Sequence, residues 1–174
     1  MTEIILGLPV TVFWFWFSAF VYLAAILFFW GPFRREKTDL MSAFFAFLAG
    51  MAWLHLFAGA GTYWKQLLLT HIGFFGGLTG AAYTLKFPLA SLKESARKPL
   101  FYLVLVIAWS IVAWMLIFPH STKTMIWAGY LYMITISGGV AGLYIIWQGI
   151  NANEIWVKVK VIGGGAGLVT CCLV

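Results

Sequence analysis

Leu100 to Phe118 reads LFYLVLVIAWSIVAWMLIF, a stretch without a single charged side chain. Lys98 and Pro99 precede it and Pro119 follows it. An α-helix needs about 20 mostly apolar residues to cross the hydrocarbon core of a bilayer. The stretch is continuously apolar rather than alternating, and lipid requires every backbone group to be paired within its own segment. The sequence therefore predicts a transmembrane helix here.

Four other segments have the same character, so we expect five spans in one helical domain covering residues 1–174. The predicted spans are 4–30, 41–60, 67–87, 100–118 and 125–147. A sixth apolar segment, 161–174, is too short to cross a bilayer unaided. We expect it to be a helix interrupted at Val174, with more protein following, and the alternative is a short helix packed within the bundle. The predicted fold class is an all-α, polytopic integral membrane protein with a partial or short sixth helix.

The composition supports a membrane protein over a soluble one. Hydrophobic residues make up 63% of the chain and charged residues 9%, whereas soluble domains devote about 25% of their residues to charge. The five acidic residues all lie in the N-terminal tail or in predicted loops: Glu3, Glu36, Asp39, Glu94 and Glu154. We interpret the net charge of +6 as a signal of topology and of contact with anionic lipid head groups. The basic residues are scattered over short loops, which argues against nucleic-acid binding.

Basic residues predict how the chain threads the membrane. Nine of the eleven lie in alternate loops: Arg34, Arg35 and Lys37; Lys86, Lys93, Arg97 and Lys98; Lys158 and Lys160. The other two turns carry one lysine each, Lys65 and Lys123. Cytoplasmic loops retain Lys and Arg while translocated loops lose them. This pattern predicts an external N-terminus, and we place the protein in the cytoplasmic membrane of a bacterium or archaeon.

Small residues indicate where helices pack closely. Gly73 and Gly77 are four residues apart in the third span, and so are Gly76 and Gly80, which together form a glycine face. The fifth span has Gly138, Gly139 and Gly142 beside a serine. Small side chains let two helix backbones approach each other in lipid. We expect these seven glycines to serve helix packing, with a ligand resting against them as the alternative.

Two histidines are the candidate cofactor ligands. His55 and His71 each lie eight residues from Tyr63 at an external turn, so both should sit about 10 Å below that turn. Two imidazoles at one depth could bind haem b from both sides. Against this, His71 projects away from the glycine face of its own helix. A structural pair, each histidine hydrogen-bonded to a carbonyl or a threonine, is the competing interpretation, and a sensing role is a third. His120, after Pro119, is expected to be a solvated interfacial residue.

The function expected from these patterns is a non-catalytic multi-pass membrane module, with no catalytic residues assigned. It would be the sensory or anchoring part of a longer receptor, or a small subunit of a membrane complex. Its partners would be membrane lipids together with other membrane subunits or a C-terminal domain. The alternative is a b-type cytochrome that exchanges electrons with quinone through haem held by His55 and His71. A passive channel lined by the glycine faces is a third hypothesis.

Overall fold

The computed structural model describes residues 4–5, 7–35 and 38–173, and this part of the chain is almost entirely helical. Its α-helices are α1 (Val10–Arg35), α2 (Asp39–Trp64), α3 (Leu67–Thr84), α4 (Lys86–Leu89), α5 (Glu94–Ile117), α6 (Thr122–Met133), α7 (Leu143–Ile150) and α8 (Ile155–Leu173). A 3-10 turn (Pro119–Ser121) precedes α6, and a π-helical segment (Ile134–Gly142) joins α6 to α7. The predicted all-α class is confirmed.

Four helical stretches are long and apolar enough to cross a membrane: Val10–Gly31, Met41–Trp64, Glu94–Ile117 and Pro119–Ile150. They correspond to the first, second, fourth and fifth predicted spans. The third and sixth predicted segments are also helical, as α3 and α8, but they are not among these four. The chain is therefore a helical membrane protein with four candidate spanning helices in its described part.

Several helix boundaries differ from those predicted. The first span does not begin at Ile4, because β1 (Ile4–Ile5) and β2 (Leu8–Pro9) form a short antiparallel pair around Gly7, whose φ is +79°. Glycine takes such a left-handed conformation without steric cost. At the fourth span, α5 begins at Glu94 and includes Pro99, where a loop had been predicted. An ion pair between Glu94 and Lys98, 2.8 Å apart, supports this extra turn, as i,i+4 pairs of opposite charge do.

The last two helices also extend beyond their predicted limits. The helix of the predicted fifth span, which we call the fifth helical stretch, continues from Thr122 without interruption to Ile150. The sixth helix starts at Ile155 rather than Val161 and takes in Lys158 and Lys160. Long basic side chains can lie along a helix end while their charge reaches water, so charge there does not end a helix. Prediction from composition alone therefore made these two helices too short.

A tightly paired hairpin, α2 and α3, forms the centre of the bundle. Thr38 caps α2, since its Oγ1 accepts a hydrogen bond of 3.1 Å from the backbone N–H of Met41. At the other end Lys65 takes a left-handed conformation with φ 55°, and its N–H donates to the carbonyl of Gly61. Such a cap ends one helix and reverses the chain within a few residues. The turn thus brings α3 directly back along α2.

The remaining helices surround this hairpin. α1 packs on α2, α5 packs on α3, and α6 with the π-helical segment contacts α3 from another side. α8 packs against α7 and the π-helical segment. The core is formed by apolar residues from four helices: Phe47, Met51 and Leu54 of α2; Phe74 and Leu78 of α3; Ala108, Val112 and Met115 of α5; Tyr132 and Met133 of α6.

Candidate functional site

His55 lies in the middle of α2 and faces α1. Its Nδ1 donates a hydrogen bond to the carbonyl of Met51, 2.7 Å away, and the imidazole is partly buried. Its ring lies 5.4 Å from the ring of Tyr22 and 6.0 Å from that of Phe15, both on α1. A buried polar group without a hydrogen bond is costly in lipid, and the Met51 carbonyl removes that cost at one nitrogen. His55 is therefore part of the contact between α1 and α2.

His71 lies one turn into α3 and is only 4% exposed. Neither of its ring nitrogens has a hydrogen-bond partner among the described residues. Its helix face is shared by Phe74 and Phe75, three and four residues further on. Phe74 meets the ring of Tyr130 on α6 at 5.5 Å, and Phe75 stacks on Trp109 of α5 at 5.9 Å. His71 therefore belongs to the side of α3 that carries α5 and α6.

The two predicted haem ligands thus lie on different sides of the α2–α3 hairpin. An iron bound by two axial histidines needs both imidazoles to face one slot from opposite directions. Here one ring faces α1 and the other lies on the side of α5 and α6, so the structure does not bring them together. His120 lies in the exposed 3-10 turn. In the described part of the chain, no three His, Cys, Asp or Glu residues converge where a metal ion could be held.

The glycines of α3 lie against α2, where side chains would not fit. A Cβ added to Gly80 would stand 2.9 Å from the Cα of Gly50, and one added to Gly73 would stand 3.0 Å from the carbonyl oxygen of Leu54. At Gly77 a Cβ would meet the side chain of Leu54 at 2.9 Å, and Gly76 is covered by the indole of Trp53. The glycine face is filled by protein, which leaves no room there for a flat ligand.

The glycines of the fifth helical stretch differ among themselves. A Cβ on Gly142 would stand 2.7 Å from Cγ2 of Val169, so Gly142 allows α8 to approach closely. Gly138 is buried within the π-helical segment. At Gly139 a Cβ would have one neighbour within 4 Å, the carbonyl of Ile134 in its own segment at 3.7 Å. Gly142 therefore lies at a helix contact and Gly139 does not.

An apolar crevice of about 870 Å³ lies within the described part of the chain. It lies between two helical hairpins, α1–α2 on one side and α7–α8 on the other, with the start of the α3–α5 connection at its end. Its walls are Val21, Tyr22, Ala25, Met41, Phe44, Phe47 and Leu48 from the first hairpin and Tyr144, Ile145, Gln148, Val161, Gly164, Gly167 and Leu168 from the second. Thr84, Phe87, Ala90 and Ser91 close the end.

Uncharged polar groups gather where this crevice meets the helix connections. Nε2 of Gln148 donates a 2.9 Å hydrogen bond to the Tyr144 hydroxyl. That hydroxyl accepts the bond and keeps its own proton for a further acceptor. The Ser91 hydroxyl, which donates to the carbonyl of Pro88 at 2.7 Å, lies at the same end. The crevice therefore combines a long apolar body with hydrogen-bonding groups at one end.

The wall of the crevice that α8 forms has room for larger side chains. Gly164 and Gly167 line it, and a Cβ added at either would meet nothing within 4 Å. Gly163 next to them is equally open but does not line the crevice. Gly164 and Gly167 thus widen the crevice instead of tightening a helix contact. Gly165 differs, because a Cβ added to it would stand 2.8 Å from the carbonyl oxygen of Gly142.

Comparison of the chain with protein-family models, with curated proteins and with solved structures finds no match. The chemistry of the crevice and of the histidines is therefore the basis for a functional proposal. Sequence patterns had no means of locating the crevice, since its walls come from five separated parts of the chain. A signal that could have indicated part of it is the run of small residues from Gly163 to Gly167.

Proposed function

We propose that the chain is a non-catalytic multi-pass membrane module that binds an elongated apolar molecule with an uncharged polar end. In this proposal it serves as the sensory or anchoring part of a longer receptor. The observation that carries it is the crevice of about 870 Å³ between the two hairpins, whose lining is mostly apolar and includes Ser91, Tyr144 and Gln148 near the helix connections. Ligand sites of this kind are largely apolar, with a few placed polar groups that set orientation.

The arrangement suggests how a bound molecule would be sensed. In the described part of the chain, the contacts that link the α1–α2 hairpin to the α7–α8 hairpin run mainly through α3, α4 and the π-helical segment. A molecule in the crevice would touch both hairpins directly. Binding shifts a conformational equilibrium only by its difference in affinity for the two states. A ligand that fills the crevice would therefore favour the state in which both hairpins contact it.

The proposal includes the orientation and the number of crossings. With an external N-terminus, the loops that carry Arg34, Lys93 and Lys158 are cytoplasmic. In this topology α3 crosses the membrane as well, which makes five crossings, and α8 is the partial or short sixth helix. The polar end of the crevice, with Ser91 and Gln148, then lies at the cytoplasmic interface. This is where the polar end of a lipid-like molecule would be hydrated.

A matched pair of glycine variants tests the binding proposal. Gly164→Leu places a side chain in the crevice, whereas Gly163→Leu adds the same side chain outside it. Neither new Cβ meets an atom within 4 Å, so both variants should fold. The probe is a long-chain alcohol that carries a diazirine, photolysed in membranes containing the full chain, with the labelled peptides identified by mass spectrometry.

We expect the wild-type protein and Gly163→Leu to be labelled on α1, α7 and α8 at crevice positions, and Gly164→Leu to lose most of that labelling. Equal labelling of all three proteins would refute the crevice as a binding site. The small-subunit role is favoured if the crevice is labelled and the protein also forms a stable complex with a second membrane protein. Purification of the wild-type chain from its native membrane with a stoichiometric partner would show this.

A further inference from the structure

A second cavity, of about 550 Å³, lies on the other side of α4 from the apolar crevice. We call it the basic cleft; it runs between the end of α3 with α4 and the first half of α5. Three cations line it, namely Lys86, Arg97 and Lys98. Its position between helices, with positive charge at one end, is the kind of place where anionic lipid head groups bind membrane proteins.

The charges in the cleft are only partly compensated. Lys98 is paired with Glu94 at 2.8 Å, and both side chains are largely exposed. Arg97 has no carboxylate partner among the described residues, although it is partly buried. Lys86 likewise lacks an acidic partner there, and its Nζ lies over the rings of Tyr83 and Phe101, 4.9 and 5.6 Å from their centroids. Within the described part of the chain, two cations are therefore left without a counter-charge at the mouth of the cleft.

The interior of the cleft is apolar and aromatic. Tyr83 and Phe101 meet edge to face at 5.2 Å. Deeper along α5, Leu105 is buried, and the Trp109 indole donates a 3.2 Å hydrogen bond to the Thr79 hydroxyl. A guanidinium offers a planar set of donors that matches phosphate oxygens. Positive charge at the mouth and an apolar wall below match a molecule that has a phosphate head group and an acyl chain.

We infer that the basic cleft binds the phosphate group of an anionic membrane lipid, with Arg97 and Lys86 as its cationic partners and an acyl chain along Leu105 and Trp109. The inference uses other residues than the apolar crevice, so either site can fail without the other. Free inorganic phosphate shares the anionic chemistry but would use only the mouth of the cleft. A zwitterionic lipid carries the same phosphate, but its own quaternary ammonium offsets the negative charge, so it should bind the two cations less tightly.

The test measures retention of single lipids by the full chain in neutral detergent, using native mass spectrometry. The probes are phosphatidylglycerol, phosphatidylcholine and sodium phosphate. The variants are Arg97→Gln, Lys86→Gln and the double variant. Lys160→Gln, which removes one positive charge outside the cleft, is the matched control. Thermal unfolding of each variant verifies that it is folded, and if Lys86→Gln does not fold, Arg97→Gln alone decides the outcome.

We expect the wild-type chain to retain phosphatidylglycerol in preference to phosphatidylcholine. Each single cleft variant should weaken this binding about five-fold and the double variant about thirty-fold, with Lys160→Gln unchanged. Equal retention of the two lipids would overturn the inference, and so would an equal loss in Lys160→Gln. Displacement of phosphatidylglycerol by millimolar sodium phosphate would also overturn it, because the site would then belong to a free anion.

Discussion

At the scale of single residues, His71 is the side chain whose environment is least expected. It is 4% exposed, and both ring nitrogens lack a hydrogen bond among the described residues. His55, in contrast, has the Met51 carbonyl at 2.7 Å and two aromatic rings beside it. From the sequence, the two histidines were expected to be equivalent, but in the structure their imidazoles differ in hydrogen bonding. One belongs to a satisfied helix contact and the other bears the cost of an unpaired buried group.

Replacing His71 with leucine should therefore stabilise the protein. His71→Leu removes an unsatisfied polar group and should raise the free energy of unfolding by about 1 kcal/mol. His55→Leu removes a satisfied hydrogen bond and should lower it by about 0.6 kcal/mol, a typical value for such bonds in membrane proteins. The measurement is helix content by circular dichroism as SDS is titrated into mild detergent.

The opposite result at His71 would support the cytochrome alternative. If His71→Leu lowers stability by 1 kcal/mol or more, the imidazole has a partner other than the described residues. A Soret band in the purified wild-type protein, lost in both histidine variants, would identify that partner as haem. A colourless wild-type protein would leave His71 as an unpaired core residue.

At the scale of helices, glycine acts in two ways. On α2 and α3 it lets backbones touch, since a Cβ on Gly50 would stand 2.6 Å from the carbonyl oxygen of Gly76. On α8, Gly164 and Gly167 leave open space. The same residue type in similar sequence surroundings thus gives a tight helix pair in one place and a cavity in another. What differs is which partner helix lies opposite.

This contrast predicts opposite effects for two alanine substitutions. Gly50→Ala would force α2 and α3 apart and should cost about 1–3 kcal/mol of unfolding free energy, as overpacking does. Gly163→Ala meets no neighbour and should be neutral or stabilising by up to about 1 kcal/mol, because alanine is the better helix former. SDS titration of both variants side by side measures the difference. Similar stability of the two would mean that α2 and α3 are not closely packed.

A polar contact between helices accompanies these glycines. The Thr84 hydroxyl donates to the Ala81 carbonyl at 2.6 Å and lies 3.3 Å from the Ser137 hydroxyl, and both residues are fully buried. Ser137 belongs to the π-helical segment, so this link joins α3 to the irregular part of the fifth helical stretch. π-Helical turns are rare and are often found at functional sites. Here the segment lies directly before the α7 wall of the apolar crevice.

At the scale of the whole molecule, the exposed surface is what a bilayer would cover. α1 shows this most clearly, since Phe20, Leu27 and Phe28 are each more than two-thirds exposed. Such an apolar surface on a soluble protein would lead to aggregation, whereas in lipid it costs nothing. The proposed orientation adds which ends of the helices lie outside the cell and which lie in the cytoplasm.

Cysteine labelling tests that orientation. In a background with Cys171→Ser and Cys172→Ser, Tyr63→Cys lies at the exposed α2–α3 end and Asn153→Cys in the exposed α7–α8 connection. An impermeant maleimide added to intact cells should label Tyr63→Cys at once and Asn153→Cys only after lysis. The reverse pattern would place the N-terminus in the cytoplasm and would move the polar end of the crevice to the external side.

Much of the architecture could be predicted because lipid imposes it locally. A continuous apolar run such as Leu100 to Phe118 forms a helix within a bilayer, since intrahelical bonds satisfy its backbone inside one segment. The ends were less predictable, because capping by Thr38 or the ion pair of Glu94 with Lys98 can extend a helix into polar sequence. The equal depth predicted for His55 and His71 rested only on their distance along the chain from the turn. That distance does not tell which side of its helix each histidine occupies.

By itself, then, the sequence determined that the chain is helical and lies in a membrane, and it pointed to the glycines that could pack. Only the tertiary structure decided which helices meet, and with that the two cavities and the separation of the histidines. The physical reason is that hydropathy and backbone pairing act within one segment. A crevice, a cleft or a ligand pair depends on the rotation of each helix about its axis, which the packing of side chains between segments sets.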